Sequence, residues 1–153
     1  MRIRLLSVGK PSDRALQSLH ERYAERIRKF GVDYVATWVP KTEPGGRFSD
    51  DHVREREAQA LLQALGPRGT VIAMDPSGRL WTSVQVAERL ERWVSPVTFL
   101  VGGPLGHHPS VMARAQDAWS LSPLTFPHEL VRLLLAEQIY RALTLLRRVP
   151  YHK

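Results

Sequence analysis

The sequence predicts an α/β fold, with one mostly parallel sheet and helices on both of its faces. Strand-like and helix-like segments alternate along all 153 residues. The strand segments are continuous apolar runs, which is typical of parallel strands that are covered on both faces. The sequence contains no internal repeat and no low-complexity tract. Residues 1–153 are therefore predicted to form a single domain.

The first half of the chain alternates strand, helix, strand, helix and strand. Residues 3–8 are an apolar run before Gly9, and residues 12–30 carry apolar side chains at helical spacings of three and four until Gly31. Residues 32–39 give the second strand. The loop 42–47 contains Pro44 between Glu43 and two glycines and cannot hold regular structure. A helix over 50–65 ends at a Gly-Pro pair, and residues 70–74 form a short buried strand.

The second half continues the alternation and closes with one long helix. Residues 75–79 predict a turn, Thr82 or Ser83 caps a helix to residue 93, and residues 96–101 form the next strand. A helix is predicted over 108–118 and a brief last strand over 119–121. Pro127, at a first helical position, opens the closing helix. That helix is apolar nearly all round, which in so small a domain predicts packing against a second subunit.

Composition and charge narrow the class of protein. The formal net charge is +7 and the pI is about 10.4, which favours a polyanionic partner such as nucleic acid. A lineage rich in arginine is the alternative, because only Lys10, Lys29, Lys41 and Lys153 of the 22 basic residues are lysine. Without cysteine there is no disulfide and no thiolate metal site, and no run approaches the roughly 20 apolar residues of a membrane span. These features predict a cytoplasmic protein that binds no membrane.

Two irregular segments in the last third predict a ligand site. Gly102-Gly103-Pro104-Leu105-Gly106 follows one buried strand, and residues 120–128, with two prolines and three hydroxyls, precede the closing helix. Loops at the carboxyl ends of parallel strands are where α/β proteins bind ligands. The glycines admit a close backbone approach, although they could equally serve a chain reversal. Their spacing is neither that of a dinucleotide fingerprint nor that of a phosphate loop, so an adenosyl group suits this site better than a triphosphate.

Histidines and serines give weaker signals for chemistry. No histidine pair has the i, i+4 spacing of a helical zinc site, and His107-His108 is the best metal candidate; no metal is predicted. Ser120 and Ser122 lack the elbow motif of a serine nucleophile and are predicted to supply hydroxyls and turn conformations.

The closing helix and the tail carry the remaining polar candidates. Arg132, one turn inside the helix, is placed to reach a phosphate or substrate, and Glu137 and Arg141 are spaced as an i, i+4 ion pair. Tyr151-His152-Lys153 is either a frayed end or the set of groups that stacks on and hydrogen-bonds an unstacked RNA base.

Taken together, these segments resemble a known family. The resemblance is carried by residues 3–9, the Asp75-Pro76-x-Gly78 turn with Trp81, the glycine turn 102–106, and the segments 121–128, 131–132, 136–142 and 150–152. They resemble the large-subunit ribosomal RNA methyltransferase H family, which are minimal SPOUT methyltransferases, over essentially the full chain. Leu105 stands where many members have Glu, so no carboxylate role is assigned there.

The resemblance implies a fold, a reaction and a set of site residues. It implies a C-terminal deep trefoil knot, a homodimer packed through the knot regions, and methyl transfer from S-adenosylmethionine to N3 of a pseudouridine in a stem-loop of the large-subunit (23S) rRNA in the assembled ribosome. Arg132 would stabilise charge on the base or a phosphate, His128 or His152 would accept a proton, and Tyr151 would stack the base. By position the cofactor pocket comprises Met74, Gly102, Gly103, Leu121, Ser122, Pro123, Leu124, Thr125 and Phe126.

Two other functions fit parts of the same pattern. A non-catalytic RNA-binding or ribosome-associated dimer would share the basic charge and the second subunit. A transferase of another class would use the glycine loop for a nucleotide.

Overall fold

A computed structural model describes residues 1–43 and 45–153, and its centre is a sheet of five strands. The order across the sheet is β2-β1-β4-β3-β5, and every neighbouring pair is parallel. The predicted α/β fold is thereby confirmed. The strands are β1 Arg2–Val8, β2 Asp33–Val39, β3 Thr70–Leu80, β4 Val97–Val101 and β5 Asp117–Ser120.

Helices cover both faces of the sheet, as predicted. In β1, Ile3 and Leu5 belong to the core shared with α1, α3 and α5, whereas Leu6 and Val8 belong to the core shared with α2 and α4. This division follows from the alternation of side chains along a strand. The helices are α1 Arg14–Arg28, α2 Asp50–Ala64, α3 Ser83–Arg92, α4 Pro109–Arg114 and α5 His128–Leu146.

Side-chain caps fix where four of the helices begin. Asp13, Ser49 and Thr82 each accept a hydrogen bond from a backbone N–H in the first turn of α1, α2 and α3. His108 does the same for α4. In α5, Pro127 stands one residue before the helix instead of being its first residue, and it contributes no side-chain cap.

Strand β3 is longer than its apolar run predicts. The predicted turn at 75–79 is an irregularity inside the strand, because Met74 and Arg79 both pair with Trp119 of β5. The four residues between them loop out of the ladder, and Asp75 holds the loop by accepting a bond from the Ser77 N–H at 2.9 Å. A turn and a bulge use the same residue types. The sequence pattern therefore predicted a break after Met74, but it did not predict that β3 pairs with β5 again at Arg79 and Leu80.

Helix α4 is shorter than predicted. The predicted helix 108–118 ends at Arg114 because the chain at Gln116 joins the sheet. The Gln116 N–H donates to the Val71 carbonyl at 2.9 Å, and its side-chain oxygen accepts from the Val71 N–H at 2.6 Å. A long-range partner thus overrides the local helical pattern.

The remaining predictions concern a loop, the knot and the membrane. Residues 41–43 and 45–49 have no helix or strand, and Pro44, within the predicted loop, lies outside the described residues. Among the described residues, no helix combines the length and apolar character that a bilayer crossing requires. The trefoil knot stays a prediction.

Candidate functional site

A cavity of about 450 Å³ opens at the edge of the sheet where β3, β4 and β5 end. Parallel strands end at a common edge, so the loops that follow them converge there. The lining residues are 74–76, 101–107, 119–122, 124–128 and Val131 of α5. Every residue of the predicted cofactor pocket lines this cavity except Pro123.

The glycine turn lies close to its neighbours on one wall of the cavity. Gly106 has φ +80°, a backbone conformation that favours glycine, and its N–H donates to the Gly103 carbonyl at 3.0 Å. A Cβ at Gly102 would stand 3.2 Å from the His107 ring, and one at Gly103 would stand 2.8 Å from a Glu57 carboxylate oxygen. The loop packs this tightly because it lacks side chains at those positions.

Two ionisable side chains, buried Glu57 and partly buried His107, lie beside this turn. Glu57 of α2 is 4% exposed and accepts a hydrogen bond from the Thr42 N–H at 3.1 Å, and its burial raises its pKa. Burial also lowers the pKa of His107, whose Nε2 lies 3.3 Å from the Leu100 carbonyl. Its Nδ1 is buried and has no hydrogen-bond partner within the described part of the chain. Desolvation disfavours the charged form of both groups.

Sequence reasoning did not single out Glu57, yet a signal was present. Glu57 lies four residues after Val53 and four before Leu61, and both are buried on the core face of α2. A carboxylate in an apolar helical stripe is rarely buried without a partner, so its position was informative.

The serine segment is shaped by its own hydroxyls. Ser120 Oγ donates to the Ser122 carbonyl at 2.9 Å, and Ser122 Oγ accepts from the Leu124 N–H at 3.0 Å. These bonds form the local turns that the sequence predicts beside Pro123.

The predicted catalytic residues occupy three different places. His128 lines the cavity. Tyr151 and His152 do not: Tyr151 Oη bonds to Glu137 at 3.1 Å, and His152 Nδ1 lies 3.4 Å from Arg141 Nη1. Arg141 Nε in turn donates to Glu137 at 3.1 Å, which confirms the predicted pair on α5. The tail therefore lies along α5, away from the cavity of its own chain.

Arg132 lines a second cavity, of about 270 Å³. Its guanidinium, in a residue only 7% exposed, donates to Ser7 Oγ and, at 3.4 Å, to the Thr37 carbonyl. In the same cavity His20 Nε2 lies 2.9 Å from Tyr34 Oη, and burial together with the Arg132 charge lowers the pKa of His20 from 6.5 to about 4. Arg132 thus does not share a cavity with His128.

Residues 1–43 and 45–153 contain no group of three or more His, Asp or Glu side chains arranged to hold a metal ion. His107, one of the two histidines considered for a metal from the sequence, instead lies against the glycine turn, and His108 caps α4.

Comparison with known proteins identifies the family. A family model described as predicted SPOUT methyltransferase matches residues 1–152. The chain belongs to the SPOUT methyltransferase family. The resemblance drawn from its motifs is confirmed, and this SPOUT methyltransferase is an enzyme.

Curated relatives match this SPOUT methyltransferase along its length. "Ribosomal RNA large subunit methyltransferase H" from Gluconacetobacter diazotrophicus is 44% identical, covering 99% of this chain and 97% of the relative. A protein of the same name from Alkalilimnicola ehrlichii is 41% identical, covering 100% of this chain and 99% of the relative. Another, from Pseudomonas aeruginosa (strain UCBPP-PA14), is 39% identical and covers 100% of both chains.

A solved structure supports the fold. It is that of a probable methylase family protein from Haemophilus influenzae Rd KW20, with a TM-score of 0.54 at 11% identity, covering 99% of this chain and 70% of the other. At this identity the likeness concerns the fold alone.

Proposed function

We propose that this SPOUT methyltransferase methylates N3 of a pseudouridine in a stem-loop of the large-subunit rRNA, within the assembled ribosome, using S-adenosylmethionine. The observation that carries the proposal is the cavity of about 450 Å³ at the sheet edge, lined by the loops that the motifs identified, in a chain that matches its relatives end to end. The net charge of +7 supports an RNA substrate.

The residues of the cavity fit an adenosyl cofactor. Trp119, Leu121 and Val131 provide apolar walls, which suit the faces of an adenine ring. The backbone N–H and C=O groups of the glycine turn can supply polar contacts, because Gly102, Gly103 and Gly106 carry no side chain to cover them. The bound cofactor supplies an activated methyl group, and the loops of the protein would hold it and exclude water.

His128 is the proton acceptor that the geometry favours. It lies at the start of α5 on the wall of the cavity, and an imidazole can take the N3 proton near neutral pH. Loss of that proton makes N3 the nucleophile. The negative charge that develops on the base would be stabilised by hydrogen bonds from the backbone N–H groups of the loops that line the cavity.

Tyr151 and His152 would serve the cavity of a second subunit. In one chain they lie against Glu137 and Arg141 of α5, outside the cavity, so a role at the base requires a partner. Large apolar side chains stay exposed near this edge, with Leu124 at 70% and Leu80 at 58%. Exposed apolar surface of this kind marks interfaces, which supports the homodimer.

The direct test is transfer of a tritiated methyl group onto ribosomes from a strain that lacks the endogenous enzyme, followed by mapping of the labelled nucleoside. We expect label on one large-subunit pseudouridine. Thr125→Trp should abolish transfer and cofactor binding in calorimetry, because the indole would fill the cavity that Thr125 lines at an exposed position. Gln63→Trp adds the same bulk on the exposed surface of α2 and should change neither.

The same experiment separates the alternatives. Ribosome binding without label would indicate a non-catalytic RNA-binding dimer, and preference for ATP or GTP over S-adenosylmethionine in calorimetry would indicate another class of transferase. Label on a different nucleotide would contradict the proposed substrate alone.

A further inference from the structure

The second cavity contains a buried cation without a carboxylate partner in the described residues. It is lined by Arg28, Arg132 and Lys10, and by the acidic residues Glu21 and Glu129. Arg28 and Glu21 pair with each other at 2.6 Å. The guanidinium of Arg132 instead donates to two neutral oxygens, those of Ser7 and Thr37.

Glu129 acts on Arg132 only through its charge and forms no salt bridge with it, because its oxygens are held by other donors. They accept hydrogen bonds from the Ser12 N–H, from Ser12 Oγ at 3.1 Å and from the Asp13 N–H at 3.2 Å. These donors lie at the start of α1, and they hold the pKa of Glu129 below its usual range. A buried charge is costly unless it is paired, so the positive charge of Arg132 favours an anion in the cavity.

An aromatic wall stands beside this charge. Trp38, near the end of the edge strand β2, lines the cavity and is 44% exposed. Leu16 and Pro11 add apolar surface to the lining, and exposed Lys10 adds a second cation. A flat ring next to cations is the combination that binds nucleotides, with the base stacked and the phosphate paired.

The second cavity adjoins the cofactor cavity. Consecutive residues at the start of α5 serve the two sites: His128 lines the cofactor cavity and Glu129 lines the second. His128 Nε2 lies 3.8 Å from the Cβ position of Gly9, the residue that follows β1, and from Glu129 the second cavity extends along α1 as far as Arg28. The volume of about 270 Å³ is just below the roughly 300–1,000 Å³ of small-molecule pockets, so it suits one nucleotide and not a longer run.

We propose that this cavity binds a nucleotide of the substrate RNA that flanks the methylated base, with its phosphate on Arg132 and Lys10 and its base on Trp38. The inference rests on the proposed function and adds a specificity site to it. Of the two roles that the resemblance implies for Arg132, this site favours contact with a phosphate over stabilisation of charge on the target base.

The test compares variants in methyl transfer to ribosomes that lack the modification. Trp38→Ala should raise the KM for ribosomes about five- to hundred-fold, the usual range for loss of one stacked base, with kcat unchanged. Trp38→Phe keeps a ring and should restore most of the affinity. Lys10→Gln should make ribosome binding less sensitive to salt. In a plot of the logarithm of the binding constant for ribosomes against the logarithm of salt concentration, the magnitude of the slope should fall by about one. The dissociation constant for S-adenosylmethionine should stay at the wild-type value in all three.

Arg68→Gln is the matched control, because Arg68 is exposed just before β3, at the opposite edge of the sheet. If Trp38→Ala and Lys10→Gln behaved like Arg68→Gln while the wild type methylated its rRNA, the second site would be refuted and the proposed function would stand. If the wild type labelled no rRNA, the proposed function itself would fail. A fall in kcat at unchanged KM for Trp38→Ala would also overturn the nucleotide site.

Discussion

At the scale of single residues, four buried or partly buried ionisable side chains lie at the two cavities, where their desolvation lowers the stability of the fold. Glu57 and His107 lie at the glycine turn, and His20 and Arg132 lie at the second cavity. Burial raises the pKa of Glu57 and lowers the pKa of His107, His20 and Arg132, and each shift favours the neutral form of the group. An interior designed for stability alone would hold apolar groups at such positions.

His20 should make the protein sensitive to acid. Its pKa falls from 6.5 to about 4 on folding. Between pH 4 and pH 6.5, His20 is therefore protonated to a greater extent in the unfolded chain than in the folded protein. The stabilising contribution is present above pH 6.5 and is lost as the pH falls toward 4. Denaturant unfolding at pH 7.5 and pH 5 should therefore show a loss of up to about 2 kcal/mol from this residue.

His20→Gln should remove that part of the acid sensitivity, since an amide does not titrate. His52→Gln, at a half-exposed position of α2, should keep the wild-type difference between the two pH values. Equal acid loss in His20→Gln and wild type would show that His20 does not carry the effect.

At the scale of elements, the crossing of β3 and β5 positions much of the cofactor cavity. Met74 and Arg79 both pair with Trp119, and the residues between them put Asp75 and Pro76 on the cavity wall. Gly78 makes this possible because β5 passes directly against it. A Cβ at Gly78 would stand 2.7 Å from the Ala118 carbonyl carbon and the Trp119 nitrogen, which are backbone atoms that cannot rotate away.

Gly78→Ala should destabilise the protein by about 1–3 kcal/mol, the usual cost of overpacking, and should weaken S-adenosylmethionine binding because the cavity wall moves. Thermal unfolding and calorimetry measure the two effects. Gly66→Ala is the control: nothing lies within 4 Å of its Cβ position, and its φ is not in the left-handed region. A wild-type midpoint in Gly78→Ala would contradict the close approach of β5.

The ends of the helices show which boundaries can be predicted from local sequence patterns. The predicted cap gave the start of α3, and Gly31 gave the end of α1 to within about two residues, because those interactions join residues a few positions apart. The end of α4 was wrong because it is decided by Gln116 binding Val71, which lies 45 residues earlier.

At the scale of the whole molecule, the two cavities adjoin at the start of α5, while the tail of the same chain lies along that helix. If the tail serves a second subunit, each active site is shared between chains. A variant that lacks the cavity and a variant that lacks the tail would then complement each other.

A mixing experiment tests this arrangement. Thr125→Trp and Tyr151→Ala should each be inactive alone, and unfolding and refolding them together should restore part of the methyl transfer, because a mixed dimer holds one intact cavity facing one intact tail. Refolding Thr125→Trp with Gln63→Trp should yield no more activity than the Gln63→Trp chains present. No recovery in the first mixture would place the tail at the cavity of its own chain, or exclude it from catalysis.

The sequence by itself determined the α/β class, the positions of the binding loops and the family, because hydrophobic periodicity, glycine and proline act over a few residues and the motifs are contiguous. Tertiary structure alone decided that Arg132 reaches Ser7, 125 residues away, and that Glu57 lies beneath the glycine turn. It also separated Arg132 from His128, although both belong to the first turns of one helix. The physical reason is that the direction of a side chain is set by what packs around its helix, and those neighbours come from distant parts of the chain.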